Sequence, residues 1–130
     1  MATVNAASTI GPLSVSAERI VEANTYSIGD LIGWDSGGSS LATNADRDLY
    51  AIGVVVASSA TGFLLHTQIG QFFRWPSHGL GSSGDELWLG TAGAYLTSQP
   101  SGSSVLVVQK VAKVIDANNV QWMPPPAVIL

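Results

Sequence analysis

Cysteine is absent and charge is scarce. With no cysteine in 130 residues, disulfides and thiolate metal sites are excluded. Charged residues make up 11% of the chain, against roughly 25% in an ordinary soluble domain. Much of the exterior must therefore be Ser, Thr, Gly and apolar atoms. Such a surface opposes association poorly, so the chain is expected to be a homo-oligomer with apolar side chains in an interface. No apolar run approaches the roughly 18 residues of a membrane span, and the N-terminus lacks a basic region followed by an apolar core. No membrane partner is expected, and synthesis in a cytosol without a secretion signal is. Nothing is basic enough for a phosphate-binding face, which makes nucleic acid an unexpected partner.

What is present is β-chemistry. Hydrophobic residues are 46% of the chain, enough for one domain with its own core. In Gly84-Asp85-Glu86-Leu87-Trp88-Leu89-Gly90, Leu87 and Leu89 share one face of an extended segment and Glu86 and Trp88 the other, with turn residues on both sides. The stretch from Val105 to Ile115 is too rich in valine to favour a helix. The two read as strands of one sheet. Further strands are expected at Ala17 to Ala23, Leu31 to Trp34, Tyr50 to Ala57, Thr61 to Thr67 and Val120 to Trp122, with Asp35 to Ser40 as a loop. Strands at short spacing, with Gly, Ser and Pro turns and no long helical period, predict an all-β fold, a small barrel or sandwich. An extended arm is expected at 1–16, the β-domain at 17–122, and a polyproline-II arm at 123–130.

The halves echo each other. Gly29-Asp30 precedes Leu41 and then Ile52-Gly53-Val54-Val55. Gly84-Asp85 precedes Leu96 and then Val111-Ala112-Lys113-Val114, with the same distance from Gly-Asp to Leu. This pattern suggests a β-hairpin unit used twice.

No catalytic arrangement is recognisable. Gly79-Leu80-Gly81-Ser82-Ser83-Gly84 matches the dinucleotide fingerprint by letters, but Pro76-Ser77-His78 precedes it and a strand follows, where the motif needs a strand and then a helix. Ser82 and Ser83 lack a nucleophile elbow. His66 and His78 could pair with Asp85 or Glu86, yet no nucleophile is arranged with either, and their spacing suits no metal. Asp46 and Asp48 lack the rest of a calcium loop. No cofactor, metal or catalytic residue is expected.

The four tryptophans, Trp34, Trp75, Trp88 and Trp122, are large contact residues, equally suited to core and interface. Phe72-Phe73-Arg74-Trp75 cannot all point inward from a strand, so at least one aromatic should face a partner. The expected interface residues are Val4, Ile10 and Leu13 in the first arm, Phe72, Phe73, Trp75, Trp88 and Trp122 in the domain, and Pro124, Val128, Ile129 and Leu130 in the second arm. An exposed tryptophan also suits sugar stacking, which keeps a carbohydrate-binding module as an alternative.

His78-Gly79-Leu80, Gly84-Asp85, Gly93-Ala94-Tyr95-Leu96-Thr97, Pro100 and Val108-Gln109-Lys110-Val111-Ala112-Lys113-Val114 resemble a short β-domain of tailed-bacteriophage virion proteins. That domain usually carries glycine where Ala112 stands. Arg19 to Ala57, with Tyr26, Gly29-Asp30 and Ile52-Gly53-Val54-Val55, is similar to small capsid-decoration proteins. The resemblance implies a structural virion protein without enzymatic activity: a capsid cement protein, favoured as a trimer, that bridges subunits of the major capsid protein on the head. Its alternative placement is a tail appendage or fibre-base subunit.

Overall fold

The structure is a computed structural model and describes residues 17–130. The expected N-terminal arm lies outside the described residues. Among those described there is no helix, and the strands form three antiparallel sheets without a closed barrel, so the fold is sandwich-like.

The first sheet contains β1 (Ala17–Ile20), β2 (Leu31–Asp35), β3 (Gly38–Leu41), β4 (Gly53–Ser59) and β5 (Gly62–His66). The second contains β6 (Phe72–Arg74), β7 (Glu86–Leu89), β8 (Tyr95–Leu96), β10 (Lys110–Asp116) and β11 (Asn119–Trp122). Between and after these, β9 (Val107–Val108) pairs with β12 (Val128–Ile129).

The strand orders are β1-β5-β4-β2-β3 and β6-β11-β10-β7-β8. Set aside β9, which precedes β10, and the two connectivities are identical. The correspondence continues at the level of single hydrogen bonds. In the first unit the Ser27 N–H donates to the Asp30 carboxylate and the Asp30 N–H to the Ser27 carbonyl. In the second, Ser82 and Asp85 exchange the same pair. Gly29 and Val55 donate to the carbonyls of Val55 and Asp30, and Gly84 and Val114 to those of Val114 and Asp85. Gly29 and Gly84 both have φ of 92°, a left-handed conformation that only glycine adopts without strain. Leu31↔Val54 and Ile32↔Gly53 match Glu86↔Lys113 and Leu87↔Ala112. The β4–β5 and β10–β11 hairpins each carry an irregularity just after the matching valine, Val55 or Val114. The repeated unit is thus five strands long, larger than the hairpin expected from sequence. The matched Leu41 and Leu96 are not equivalent in pairing. Leu41 faces Ile32 across a hairpin turning through Ser36-Gly37, whereas Leu96 faces Trp88 because Thr91-Ala92-Gly93 makes a longer turn.

The units stack in the same sense. Ile32, Val55 and Leu65 lie on one face of the first sheet and join Phe63 in a small cluster, with Tyr26 packed over it. Their counterparts Leu87, Val114 and Val120 lie on the face of the second sheet that meets the first. The first sheet contributes its other face to that contact, through Leu31, Val54 and Leu64. The large core therefore joins one face of the first unit to the non-equivalent face of the second. Each unit adds its own connecting segment, Tyr26 in the first and Trp75 and Leu80 in the second.

Two further expectations change. The valine stretch is divided at Gln109, whose side-chain amide exchanges two 2.8 Å hydrogen bonds with the backbone of Ala51 and links the halves at a buried position. Asp35 to Ser40 is the tight end of the β2–β3 hairpin and the start of β3, not a plain loop.

The stacking makes the twin turns unequal. A side chain at Gly29 would run into the Trp75 ring, whereas nothing lies within 4 Å of one at Gly84. Gly84→Ala is expected to cost about 1 kcal/mol for its φ alone, and Gly29→Ala about 3 kcal/mol because overpacking is added. Denaturant unfolding of the two variants measures the difference, and equal losses would contradict the stacked arrangement.

Candidate interaction surfaces

The expected interface residues divide three ways. Phe73 and Trp122 are corrections: each is 1% exposed. Alternation on β6 and β11 points both into the large core, and the Trp122 indole N–H donates to the Thr67 carbonyl. They fill the core and offer no contact area. Trp75 is half-buried in an aromatic row, stacked on Phe73 at 6.4 Å and tilted against Tyr95 at 5.7 Å. Tyr95 closes this row by donating its hydroxyl to the Gly29 carbonyl. Burial pushes its phenol well above the usual range, and it also holds the nearby Asp30 carboxyl up. Val4, Ile10 and Leu13 lie outside the described residues.

Phe72 and Trp88 lie on the outer face of the second sheet, both half-buried. Cross-strand pairs define that face: Phe72↔Gln121, Gln121↔Lys113, Lys113↔Glu86, Arg74↔Asn119 and Trp88↔Lys110. Lys110 lies 5.3 Å from the Trp88 ring centroid and pairs with Glu86 at 2.9 Å. The ammonium therefore occupies one face of this tryptophan.

The outer face of the first sheet was not singled out from sequence. Its centre, Ile32, Val55 and Leu65, is buried, but Trp34 at the end of β2 is 41% exposed. Trp34 pairs across the hairpin with Ser39, whose hydroxyl contacts the Glu22 carboxylate and the Tyr26 hydroxyl. Glu18 shares this face, opposite Leu65. The sequence signal was the alternation Ile32-Gly33-Trp34, which puts Trp34 on the Ile32 face.

The third surface is the C-terminal segment. It was expected as an extended arm, yet its last residues return to their own domain. Val128 faces Val108, Ile129 faces Val107, and the Leu130 N–H donates to the Leu106 carbonyl. Ala127 packs on the core and Pro124 is half-buried, while Val128, Ile129 and Leu130 remain 56%, 46% and 57% exposed. Main-chain pairing thus fixes a short strand that presents apolar side chains outward.

The groups considered for chemistry hold structure. The His78 ring contacts the Asp116 carbonyl through Nε2 and accepts the Leu80 N–H at Nδ1. Asp35, Asp46 and Asp116 each accept the N–H two residues on, as turn-forming aspartates do. At Asp116, that bond from Asn118 and the Asn119 amide hold the carboxyl below the usual range. No metal-ligand cluster occurs among the described residues. Comparison with known protein families, curated proteins and solved structures finds no match.

His66 is fully buried on the inner side of β5, near Phe73 and beside the Gln71 backbone, which makes no well-formed hydrogen bond to either ring nitrogen. Burial holds its imidazole below the usual value of 6.5. Folding thus favours the neutral ring. The stabilisation is complete above pH 6.5 and is lost as pH falls from there towards the folded-state value. Unfolding free energies measured from pH 8 to 5 should therefore decline more steeply for the native chain than for His66→Leu. Parallel curves would contradict the assignment.

Proposed function

We propose that the protein is a structural component of a bacteriophage virion, a cement protein that decorates the head by bridging subunits of the major capsid protein. In this reading it works as a homo-oligomer, a trimer by analogy with the proteins it resembles, and has no enzymatic activity. The observation that carries it is the C-terminal strand. Val128 and Ile129 are held in register by main-chain pairing while their side chains stay exposed. A pre-ordered apolar ridge loses little conformational entropy on docking, and a weak contact multiplied by symmetry becomes a strong one. The low charge of the exterior and the resemblance of both halves to virion proteins support the same reading. The structural roles of His66 and His78 agree with a non-catalytic part.

Imaging of labelled protein on purified virions tests the location. Signal over the head is expected, and signal confined to the tail would favour the tail-appendage reading. Val128→Asp with Ile129→Asp should lower binding to undecorated heads by about tenfold or more, since two exposed apolar contacts are replaced by charge. The melting temperature should fall by proportionally less than the binding, because about half of each side chain is already in water. An equal loss of both would mean that the segment serves only the domain's own stability.

A carbohydrate-binding role is the second reading, favoured by exposed Trp34 beside the Ser39, Tyr26 and Glu22 group. Glycan-array binding abolished by Trp34→Ala would support it over the first, and an array with no signal would remove it.

A further inference from the structure

The two outermost faces of the stack carry opposite charge. Of the five Lys and Arg in the chain, three, Arg74, Lys110 and Lys113, lie on the outer face of the second sheet, against two acidic residues there, Glu86 and Asp116, the latter opposite Asn119. The outer face of the first sheet carries Glu18 and Glu22, with Trp34 exposed near the end of β2. The whole chain has a net charge of -4, so this clustering of cations runs against the general balance.

These faces are also the ones that continued stacking would bring together. Within the chain, the Leu31, Val54 and Leu64 face of the first unit rests on the Leu87, Val114 and Val120 face of the second. The unused partner of that arrangement is the Glu86, Lys113 and Asn119 face of the second unit, opposite the Ile32, Val55 and Leu65 face of the first unit of another molecule. We infer that copies associate head to tail, with the Arg74–Lys113 face of one molecule on the Glu18–Glu22 face of the next.

This inference deepens the oligomer named in the proposed function, but it stands or falls on self-association alone. Where the fused contact has Leu31, Val54 and His66, the open face has Glu86, Lys113 and Gln121. The contact between molecules is therefore ionic and wet, where the internal one is dry. Phe72 and Trp88 on one side and Trp34 on the other supply its apolar part. A contact between non-equivalent faces is heterologous and gives a ring when its rotation closes, or an open stack when it does not. Attraction across it is screened by salt over a length of about 8 Å at physiological ionic strength.

Sedimentation of the purified full chain tests this without substitutions. Species above monomer mass are expected at low salt, shifting towards monomer as salt rises. Two charge-reversed proteins then identify the faces. Arg74→Glu with Lys113→Glu makes both ends acidic, and Glu18→Lys with Glu22→Lys makes both ends basic. Each should self-associate at least about tenfold more weakly than the native chain, as like charges across an interface oppose docking. An equimolar mixture of the two should recover association, because only unlike molecules then present complementary ends. Circular dichroism of each variant confirms that it is folded. A native chain that is monomeric at low salt, assembly indifferent to salt, or a mixture no more associated than its components would overturn the inference. Virion imaging is independent of all three results, so failure here leaves the proposed location standing, and a negative image leaves the head-to-tail contact standing.

Discussion

Burial of one face of the first sheet against the non-equivalent face of the second is the contact on which the rest of the structure depends. A five-stranded antiparallel sheet has two faces, and a short strand cannot shield either by itself. Leu31, Val54 and Leu64 are covered only because Leu87, Val114 and Val120 lie above them. The same contact seats Trp75 over Gly29 and brings the Tyr95 hydroxyl to the Gly29 carbonyl. It also places Gln109 where its amide can complete the backbone of Ala51. Remove the stacking and the aromatic row, the polar bridge and the buried His66 all lose their surroundings.

Stacking in a constant sense has a consequence that a two-fold sandwich would not have. A two-fold arrangement leaves two equivalent outer faces. Here the outer faces are the opposite sides of the repeated unit, and the sequence has treated them differently. One keeps an apolar centre under Tyr26, with carboxylates at its margin. The other replaces the apolar positions by Glu86, Lys113 and Gln121 and gathers cations around Phe72 and Trp88. Terminal units of repeat proteins are modified in this way where a face meets water. The head-to-tail contact draws on this polarity, and the proposed virion role on the apolar C-terminal strand fixed beside β9.

The turn residues carried most of what could be read in advance. The sequence alone determined the all-β class, the strand at 86–89 with Leu87 and Leu89 on one face, and an echo between the halves read there as a repeated hairpin. Each follows from local rules: alternation of side chains along a strand, the left-handed glycine that a Gly-Asp turn needs, and valine's preference for extended backbone. The absence of cysteine likewise excluded disulfides and thiolate metal ligands from sequence alone.

Tertiary structure decided the rest, because the deciding partners are far apart in sequence. Phe73 and Phe72 are neighbours of the same type, and only the pairing of β6 with β11 settles that Phe73 is core and Phe72 lies on the outer face. Trp122 and Trp34 each end a short strand, yet one is buried by the opposing sheet and the other has no sheet above it. The break at Gln109 and the return of Val128 and Ile129 to β9 depend on Ala51 and Val107, which no local pattern links to them. Local propensity sets which face a residue takes within its strand. Which faces are buried is set by how whole sheets stack, and that is a property of the assembled chain.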